Sequence, residues 1–257
     1  KKGNGFMKKV FFSDFDDTLV HYDNEKKGSV WQKDAEAIKK FQEDGNVFGI
    51  STGRPKWLGL QIHEMTDGII KPDFITYSNG CCILDGEGNP IHEVTLDPEH
   101  VRRIFEAFPD SCFFVHSLED KFNLGFKKMT ARELAEIAQG DYSHIYSLSF
   151  DTNAPEGEAL YEFTAALPGV ESLKNSVYCD VISKEGGKGK AIDIYKNHFT
   201  DGQVQSAAIG DAWNDVSMIE AADTGFTFDY APKEVQEKAD YVVSSIAQAI
   251  EILNSMD

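Results

Sequence analysis

Residues 10–19 read VFFSDFDDTL, an apolar run followed at once by acids and a hydroxyl. The run Val10 to Phe12 is typical of a buried β-strand, and Asp14, Asp16 and Thr18 stand at alternate positions just past it. In α/β proteins ligands bind beyond the carboxyl ends of parallel strands. Two carboxylates one residue apart can hold a hard cation, attack an electrophile or move a proton. Taken alone, the stretch would suit an ordinary solvated turn equally well.

Three later segments also place polar or charged residues next to an apolar run or at the start of a helical pattern. Residues 50–54 read ISTGR after an apolar run, residues 188–192 read KGKAI and open a helical pattern, and residues 209–215 read IGDAWND after Ala207-Ala208. Each has an ordinary explanation: Thr52 as a helix cap, Lys188 as a solvated helix start, and Asp211 as a turn residue. Their occurrence together favours one shared site.

Together with residues 14–19, these segments resemble, in order, the four motifs of the haloacid dehalogenase (HAD) superfamily of phosphatases. The resemblance covers both ends of the chain and implies an α/β fold, a Rossmann-like core with a mainly parallel sheet. The long insertion between the Thr52 and Lys188 motifs resembles an α+β C2 cap. Its strand-rich content is similar to type IIB, the Cof-type sugar-phosphate phosphatases.

The resemblance also implies a role for each motif residue. Asp14 would be the nucleophile that forms an aspartyl-phosphate, and Asp16 the general acid and then the general base. Mg²⁺ would be the cofactor and would bind the Asp16 backbone carbonyl as well as carboxylates. The implied phosphate-binding residues are Thr52, Gly53, Arg54, Lys188 and Asn214, and the implied metal-binding residues are Asp14, Asp16, Asp211 and Asp215.

Other polar residues leave alternatives open. Arg54 could meet the substrate or form a structural ion pair. Asp180 could accept a hydrogen bond from a substrate hydroxyl. The seven histidines show no metal-binding spacing, and none is assigned a catalytic role. Two departures from the resemblance concern substrate choice: Trp213, expected to narrow the site or pack beneath it, and the aromatic stretch 226–230.

The periodicity along the chain alternates between strand and helix, as in a mainly parallel sheet. It predicts a helix over Trp31 to Phe41 that Gly45 ends, strands over 47–51 and 74–77, and a helix over 55–65. From Cys81 the pattern changes to a hairpin over 83–94, followed by a helix that starts at Asp97-Pro98. We therefore predict a catalytic core of residues 1–80 and 178–257 with a cap of residues 81–177.

Composition limits the partners. A net charge of −18 disfavours nucleic acid and anionic membranes, both of which need a basic face. No apolar stretch is long enough to span a bilayer, and Asp14 interrupts the first apolar run too early for a signal peptide. The four cysteines form no CxxC pair, so we expect buried free thiols and a cytoplasmic protein. We also expect a monomer or a homodimer.

The family resemblance therefore implies a Mg²⁺-dependent hydrolase of phosphate monoesters that acts on a small phosphorylated metabolite, with sugar phosphates first. Two alternatives remain. A phosphotransferase or phosphomutase would pass the same aspartyl-phosphate to a second hydroxyl group. A catalytically silent phosphosugar-binding regulator would keep the pocket without turnover, although it has no use for a nucleophile and an acid together.

Overall fold

A computed structural model describes residues 7–25, 27–56, 59–117, 119–122, 127–175, 177–199 and 203–256. Within these ranges no helix has both the length and the apolarity to cross a bilayer. The strands are β1 (Lys9–Ser13), β2 (His21–Tyr22), β3 (Gly28–Ser29), β4 (Val47–Ser51), β5 (Phe74–Tyr77), β6 (Cys82–Asp85), β7 (Pro90–Glu93), β8 (Cys112–Ser117), β9 (Met129–Thr130), β10 (Ile145–Asp151), β11 (Val170–Asn175), β12 (Tyr178–Ser183), β13 (Gln205–Gly210), β14 (Thr224–Phe228) and β15 (Tyr241–Val243). The helices are α1 (Gln32–Glu43), α2 (Gly59–Met65), α3 (Pro98–Ala107), α4 (Ala131–Ala138), α5 (Gly157–Ala165), α6 (Lys188–Phe199), α7 (Val216–Ala221), α8 (Lys233–Gln236) and α9 (Ile246–Asn254).

The larger sheet has the order β15-β14-β13-β1-β4-β5-β6-β7. Its strands are parallel from β15 to β5, and the β5-β6-β7 edge is antiparallel. Because successive side chains of a strand point to opposite faces, Phe11 packs with α1 and α9 while Phe12 packs with α6. The β1 strand is therefore buried on both faces, which explains its continuous apolar run.

Of the elements predicted at the start of the chain, both strands and the end of the first helix are confirmed, whereas the start of each helix differs. Helix α1 ends before Gly45, whose φ of 88° is in the left-handed region. Strands β4 and β5 have the predicted bounds. Trp31 lies at the N-cap of α1 and stacks on His21 instead of facing the core. The predicted helix over 55–65 begins only at Gly59, and residues 57 and 58 lie outside the described residues.

A second, antiparallel sheet has the order β11-β12-β10-β8-β9. One face carries Phe113, Val115, Leu148 and Val181, which share an apolar core with α3, α4 and α5. Asp97 caps α3 as predicted, since its Oδ1 accepts a hydrogen bond from the Glu99 amide at 2.9 Å. The opposite face carries His116, Ser149 and Asp180, which line one cavity with Asp14 and Asp211 at the ends of β1 and β13.

Sheet membership favours a division of the chain that differs from the predicted one at both boundaries. The hairpin β6–β7, expected to open the cap, pairs with β5 and extends the larger sheet, with Phe74 opposite Asp85. Strand β12, expected to belong to the core, is paired with β10 and β11 in the smaller sheet. A hairpin pattern is the same whether it continues a sheet or starts a new one, so local sequence could not decide. We propose a cap of residues 94–183 between two core segments.

All four cysteines are free, as predicted. Burial raises the pKa of the Cys81, Cys82 and Cys179 thiols to about 12 in each case, so these thiols stay protonated and unreactive at neutral pH. Cys112 is exposed instead of buried, because it is the first residue of β8.

A tight turn follows β5. Ser78, Asn79 and Gly80 have φ values of 52°, 54° and 90°, all in the left-handed region. A Cβ at position 80 would lie 2.4 Å from the Gly187 carbonyl oxygen, so only glycine fits there. The backbone amide of Asn79 donates a hydrogen bond to the Thr52 carbonyl at 3.0 Å, which attaches the turn to the end of β4.

Candidate active site

Three predicted site residues follow three neighbouring strands. Asp14 comes directly after β1, Thr52 after β4 and Asp211 after β13, and these strands are adjacent in the order β13-β1-β4. Since parallel strands end at the same edge of a sheet, the side chains meet there. Lys188, the first residue of α6, joins them from a distant part of the chain.

Lys188 lies between two carboxylates and is fully buried. Its Nζ donates to Asp14 Oδ1 at 2.5 Å and to Asp215 Oδ1 at 2.6 Å. Desolvation acts to lower the pKa of Lys188, but the two carboxylates raise it above the ordinary lysine value. The ammonium therefore remains charged and is positioned as a fixed cation beside Asp14.

The carboxylates of Asp14, Asp211 and Asp215 offer one oxygen each within 4.8 Å of one another. Burial, and then repulsion from Asp215, raises the pKa of Asp14 well above its usual range. The same two causes raise the pKa of Asp211 to about 6, although Thr18 Oγ1 donates to its Oδ1 at 2.7 Å. An all-oxygen group with excess negative charge fits a hard divalent cation such as Mg²⁺.

Backbone geometry holds Asp215 in this cluster. The amides of Asp211 and Ala212 both donate to Asp215 Oδ2 at 3.1 Å. A Cβ at position 210 would lie 2.3 Å from the Asp215 Cβ, so Gly210 is required for this approach. The Asp215 carboxylate is therefore held against the backbone of the turn that the same motif, residues 209–215, forms.

The Asp16 carboxylate lines the same cavity but is not one of the three grouped carboxylates. Arg54 holds it in a two-point contact, with Nε donating to Oδ2 at 2.9 Å and Nη2 to Oδ1 at 2.7 Å. The Tyr22 hydroxyl also donates to Asp16 Oδ1 and accepts from Arg54 Nη2 at 2.9 Å. Arg54 therefore forms the ion pair that was one of its two expected uses, and Tyr22 is a site residue that sequence reasoning missed.

A cavity of about 370 Å³ lies between the two sheets. From the larger sheet it is lined by Asp14, Asp16, Asp17, Gly53, Arg54, Asp211, Ala212 and Asn214. From the smaller sheet it is lined by Phe114, His116, Ser149, Asn175, Tyr178 and Asp180. Its volume is in the usual range for sites that bind small molecules.

The remaining predicted residues lie below or beside the cavity. Thr52, Lys188 and Asp215 are buried under the lining. Thr52 Oγ1 accepts from the Arg54 amide at 3.1 Å and keeps its own proton for donation. The structure thus brings the predicted residues together, and their individual roles remain predictions.

Trp213 and the aromatic stretch 226–230 were the two departures from the family motifs, and neither contributes a side chain to the cavity lining described above. Trp213 is 55% exposed and is not among the residues that line the cavity, so it neither narrows the site nor packs beneath it. In the stretch 226–230, Phe226 and Phe228 are buried core residues. Tyr230 donates its hydroxyl to the Asp17 carbonyl at 2.7 Å and so supports the loop after β1.

Comparisons with known proteins agree with this geometry. A family model described as haloacid dehalogenase-like hydrolase matches residues 11–250. Phosphatase YwpJ of Bacillus subtilis (strain 168) is 25% identical, with 91% of this chain and 94% of the relative covered. The 5-amino-6-(5-phospho-D-ribitylamino)uracil phosphatase YcsE of the same strain is 24% identical, with 92% and 90% covered.

The fold has solved counterparts. The HAD subclass IIB sugar phosphatase BT4131 matches with a TM-score of 0.72 at 22% identity, over 96% of this chain and 99% of that one. The predicted fold class is thereby confirmed, as is the prediction of an enzyme of this superfamily. The four motifs meet at one edge of the larger sheet, and the family model matches nearly the whole chain. The chain therefore belongs to the haloacid dehalogenase-like hydrolase family.

Proposed function

We propose that this hydrolase cleaves phosphate monoesters of small metabolites, with sugar phosphates as the first substrate class. The observation that carries the proposal is the position of Asp14 at the cavity, with the Lys188 ammonium at 2.5 Å and two further carboxylates beside it. That arrangement combines a nucleophile, a cation and a metal-binding group in one place. Similarity to relatives named as phosphatases supports the reaction, and the structural similarity to the sugar phosphatase BT4131 supports the substrate class.

Mg²⁺ is the proposed cofactor. Asp14, Asp211 and Asp215 would hold it with their carboxylates, and Asp16 would contribute its backbone carbonyl, since its side chain is held by Arg54. When bound, the ion would offset the negative charge of the carboxylates and of the substrate phosphate.

In the first half-reaction, an Asp14 oxygen attacks phosphorus and the bond from phosphorus to the ester oxygen breaks. Asp16 first binds a proton and leaves its ion pair with Arg54, and it then gives that proton to the departing oxygen, so the leaving group departs as a neutral alcohol. Lys188 and the Thr52 hydroxyl stabilise the charge on the transferring phosphoryl oxygens. Arg54 and Tyr22 orient Asp16 toward the same cavity.

In the second half-reaction, water attacks the aspartyl-phosphate. Asp16, now ionised, takes a proton from that water, so Asp14 is regenerated and inorganic phosphate leaves. The smaller sheet covers the cavity and limits the access of bulk water. Two half-reactions through one carboxylate replace a single difficult displacement.

The direct test is inorganic phosphate release from sugar phosphates, nucleotides and pyridoxal phosphate, with and without Mg²⁺. We expect release that requires the metal, and its absence from every compound would contradict the proposal. An added sugar alcohol separates hydrolysis from transfer, because a phosphotransferase would phosphorylate the acceptor faster than it releases phosphate. Tight sugar-phosphate binding without release would support the silent regulator instead.

Asp16→Asn is expected to separate two kinds of substrate. For an alkyl phosphate, whose leaving oxygen needs a proton, we expect kcat/KM to fall by about 10²- to 10⁴-fold. For p-nitrophenyl phosphate, whose leaving group departs as a stable anion, kcat/KM should fall far less. Because water activation is also lost, the variant should show a burst of p-nitrophenol followed by slow turnover. Stopped-flow absorbance measures both.

Asp44→Asn is the control for that variant, because Asp44 is a surface carboxylate paired with Lys40 far from the cavity. It should retain the wild-type rates. An equal loss of kcat/KM on both substrates, without a burst, would show that Asp16 does not act as the acid.

Mg²⁺ should stabilise the protein more at neutral than at acid pH. Folding raises the pKa of Asp14 and Asp211, so between the unfolded and folded values the folded state binds more protons. In that window, up to about pH 6 for Asp211, these groups make the metal-free protein less stable as the pH rises. Metal needs the ionised carboxylates, so its stabilisation grows in the same direction. We expect about 2–3 kcal/mol from saturating Mg²⁺ at neutral pH and little near pH 4.

Thermal melts at constant ionic strength measure this difference. Asp211→Asn should abolish most of the Mg²⁺ effect while leaving the metal-free protein at least as stable. An equal Mg²⁺ effect at both pH values would show that these carboxylates do not bind the metal.

A further inference from the structure

The cavity wall formed by the smaller sheet carries a row of cross-strand neighbours. Phe114 of β8 is opposite Ser149 of β10, which is opposite Asp180 of β12. His116 lies two residues from Phe114 and so on the same face. These side chains line the cavity at the end away from Asp14's own strand, where the leaving group of a phosphate ester would lie.

The hydrogen bonds of this wall have a defined direction. Ser149 Oγ donates its one proton to Asp180 Oδ1. Ser149 must therefore accept at its 3.3 Å contact with His116 Nε2, which places the imidazole proton on Nε2. Burial lowers the pKa of His116, so the ring is neutral and its Nδ1 accepts from Ser78 Oγ at 3.2 Å. Every proton in the chain from Ser78 to Ser149 is directed toward Asp180.

Asp180 therefore ends the chain as an acceptor. Its Oδ2 also accepts from Asn79 Nδ2 at 2.8 Å. An ionised carboxylate has about four acceptor positions, and these two hydrogen bonds use about two of them. The wall offers the remaining acceptor positions to a ligand, while His116 and Ser149 have no proton left to donate.

The charge of the cavity points the same way. Within the described lining, Arg54 is the one permanently cationic side chain, and it is paired with Asp16. Lys128 lies over the Phe114 and Tyr178 rings and is paired with Asp151 at 3.8 Å. A second anionic group on the substrate would thus face Asp180, and both cations described beside it, Arg54 and Lys128, are already paired with a carboxylate. The two rings, 6.0 Å apart, add an apolar surface beside the acceptors.

We infer that this wall selects an uncharged leaving group that presents several hydroxyl or amino donors, and that it rejects a leaving group with a carboxylate or second phosphate. Asp180 is the specificity-determining residue, and Ser149 and His116 are positioning residues that hold it. The inference rests on the proposed phosphomonoesterase function and narrows its substrate class.

Three phosphate esters of equal chain length test it: a hexitol phosphate, the aldonate phosphate in which one hydroxymethyl group is replaced by carboxylate, and n-hexyl phosphate. We expect the wild-type kcat/KM for the hexitol ester to exceed that of each of the others by about 10- to 100-fold. Asp180→Asn, which puts an amide donor in place of a carboxylate oxygen, should reduce the hexitol preference over the aldonate to within a few-fold. Ser149→Ala should weaken the preference less.

Asp110→Asn is the matched control, since Asp110 is an exposed carboxylate of the same unit paired with Arg132, and it should keep the full preference. Calorimetric binding of the three esters to Asp14→Asn with Mg²⁺ gives a ranking that does not need turnover. Failure of the proposed function would appear as no phosphate release from any ester, whereas the binding ranking would still test this inference. Equal or better use of the aldonate or hexyl ester by the wild type, or an unchanged ranking in Asp180→Asn, would overturn it.

Discussion

Replacing Asp14 with asparagine is expected to abolish phosphate release, with a loss of at least about 10⁴-fold in kcat, comparable to the loss of a nucleophile in other covalent mechanisms. Asparagine has nearly the shape of aspartate but is a very poor nucleophile toward phosphorus. The fold should not suffer, because Lys188 keeps Asp215 as its charged partner and because burial and Asp215 already disfavour the ionised Asp14. We therefore expect Asp14→Asn without metal to melt at or above the wild-type temperature at neutral pH.

Asp17→Asn provides a closely matched control. Asp17 is in the same loop and lines the same cavity, but it has no proposed role. Its φ of 57° is in the left-handed region, which asparagine tolerates as well as aspartate does. This variant should keep its activity within a few-fold. Full activity of Asp14→Asn would mean that a different group attacks phosphorus.

Lys188→Met is expected to lose both activity and stability. The substitution keeps a long side chain but removes the cation that separates Asp14 from Asp215. Removing one partner of a buried ion pair costs about 3–5 kcal/mol, because the other charge is left uncompensated. Because Lys188 is proposed to stabilise the transferring phosphoryl oxygens, its loss should lower kcat by about 10²- to 10³-fold.

The pH dependence identifies the cause of that instability. Without the ammonium, the pKa of Asp14 should rise further, so the variant regains stability as the pH falls and the carboxylate is protonated. Lys188→Met/Asp215→Asn should recover stability at neutral pH but not activity. Chemical denaturation and phosphate release measure these changes. Lys190→Met, on the exposed side of the same helix, should resemble the wild type, and equal losses at 188 and 190 would contradict the assignment.

The catalytic end of the molecule was largely predictable from sequence. Asp14, Thr52 and Asp211 each follow an apolar run, and parallel strands bring such positions to one edge. The contact between Lys188 and Asp14, 174 residues apart, could not be derived from periodicity and was expected only through the family resemblance. The orientation and burial of the Lys188 side chain come from the packing of α6 against the sheet.

The proposed leaving-group wall, formed by Phe114, His116, Ser149 and Asp180, was harder to foresee. Asp180 was singled out as a candidate, but His116 and Ser149 were missed, because a lone polar residue in a strand reveals its partner only through cross-strand register. Tyr22 was missed for a similar reason, since it belongs to a two-residue strand in a loop. Trp213 was misjudged because its position within a motif does not say which way the side chain points.

The left-handed turn at residues 78–80 has a consequence for how this enzyme could diversify. Its backbone is hydrogen-bonded to Thr52 and its side chains to His116 and Asp180, so it connects the proposed phosphate-binding part of the site to the proposed leaving-group wall. Mutations at 116, 149 or 180 can alter substrate choice while leaving the strand ends in place. Mutations at 78 or 79 would disturb both ends together, so evolutionary change in preference should accumulate on the smaller sheet and avoid this turn.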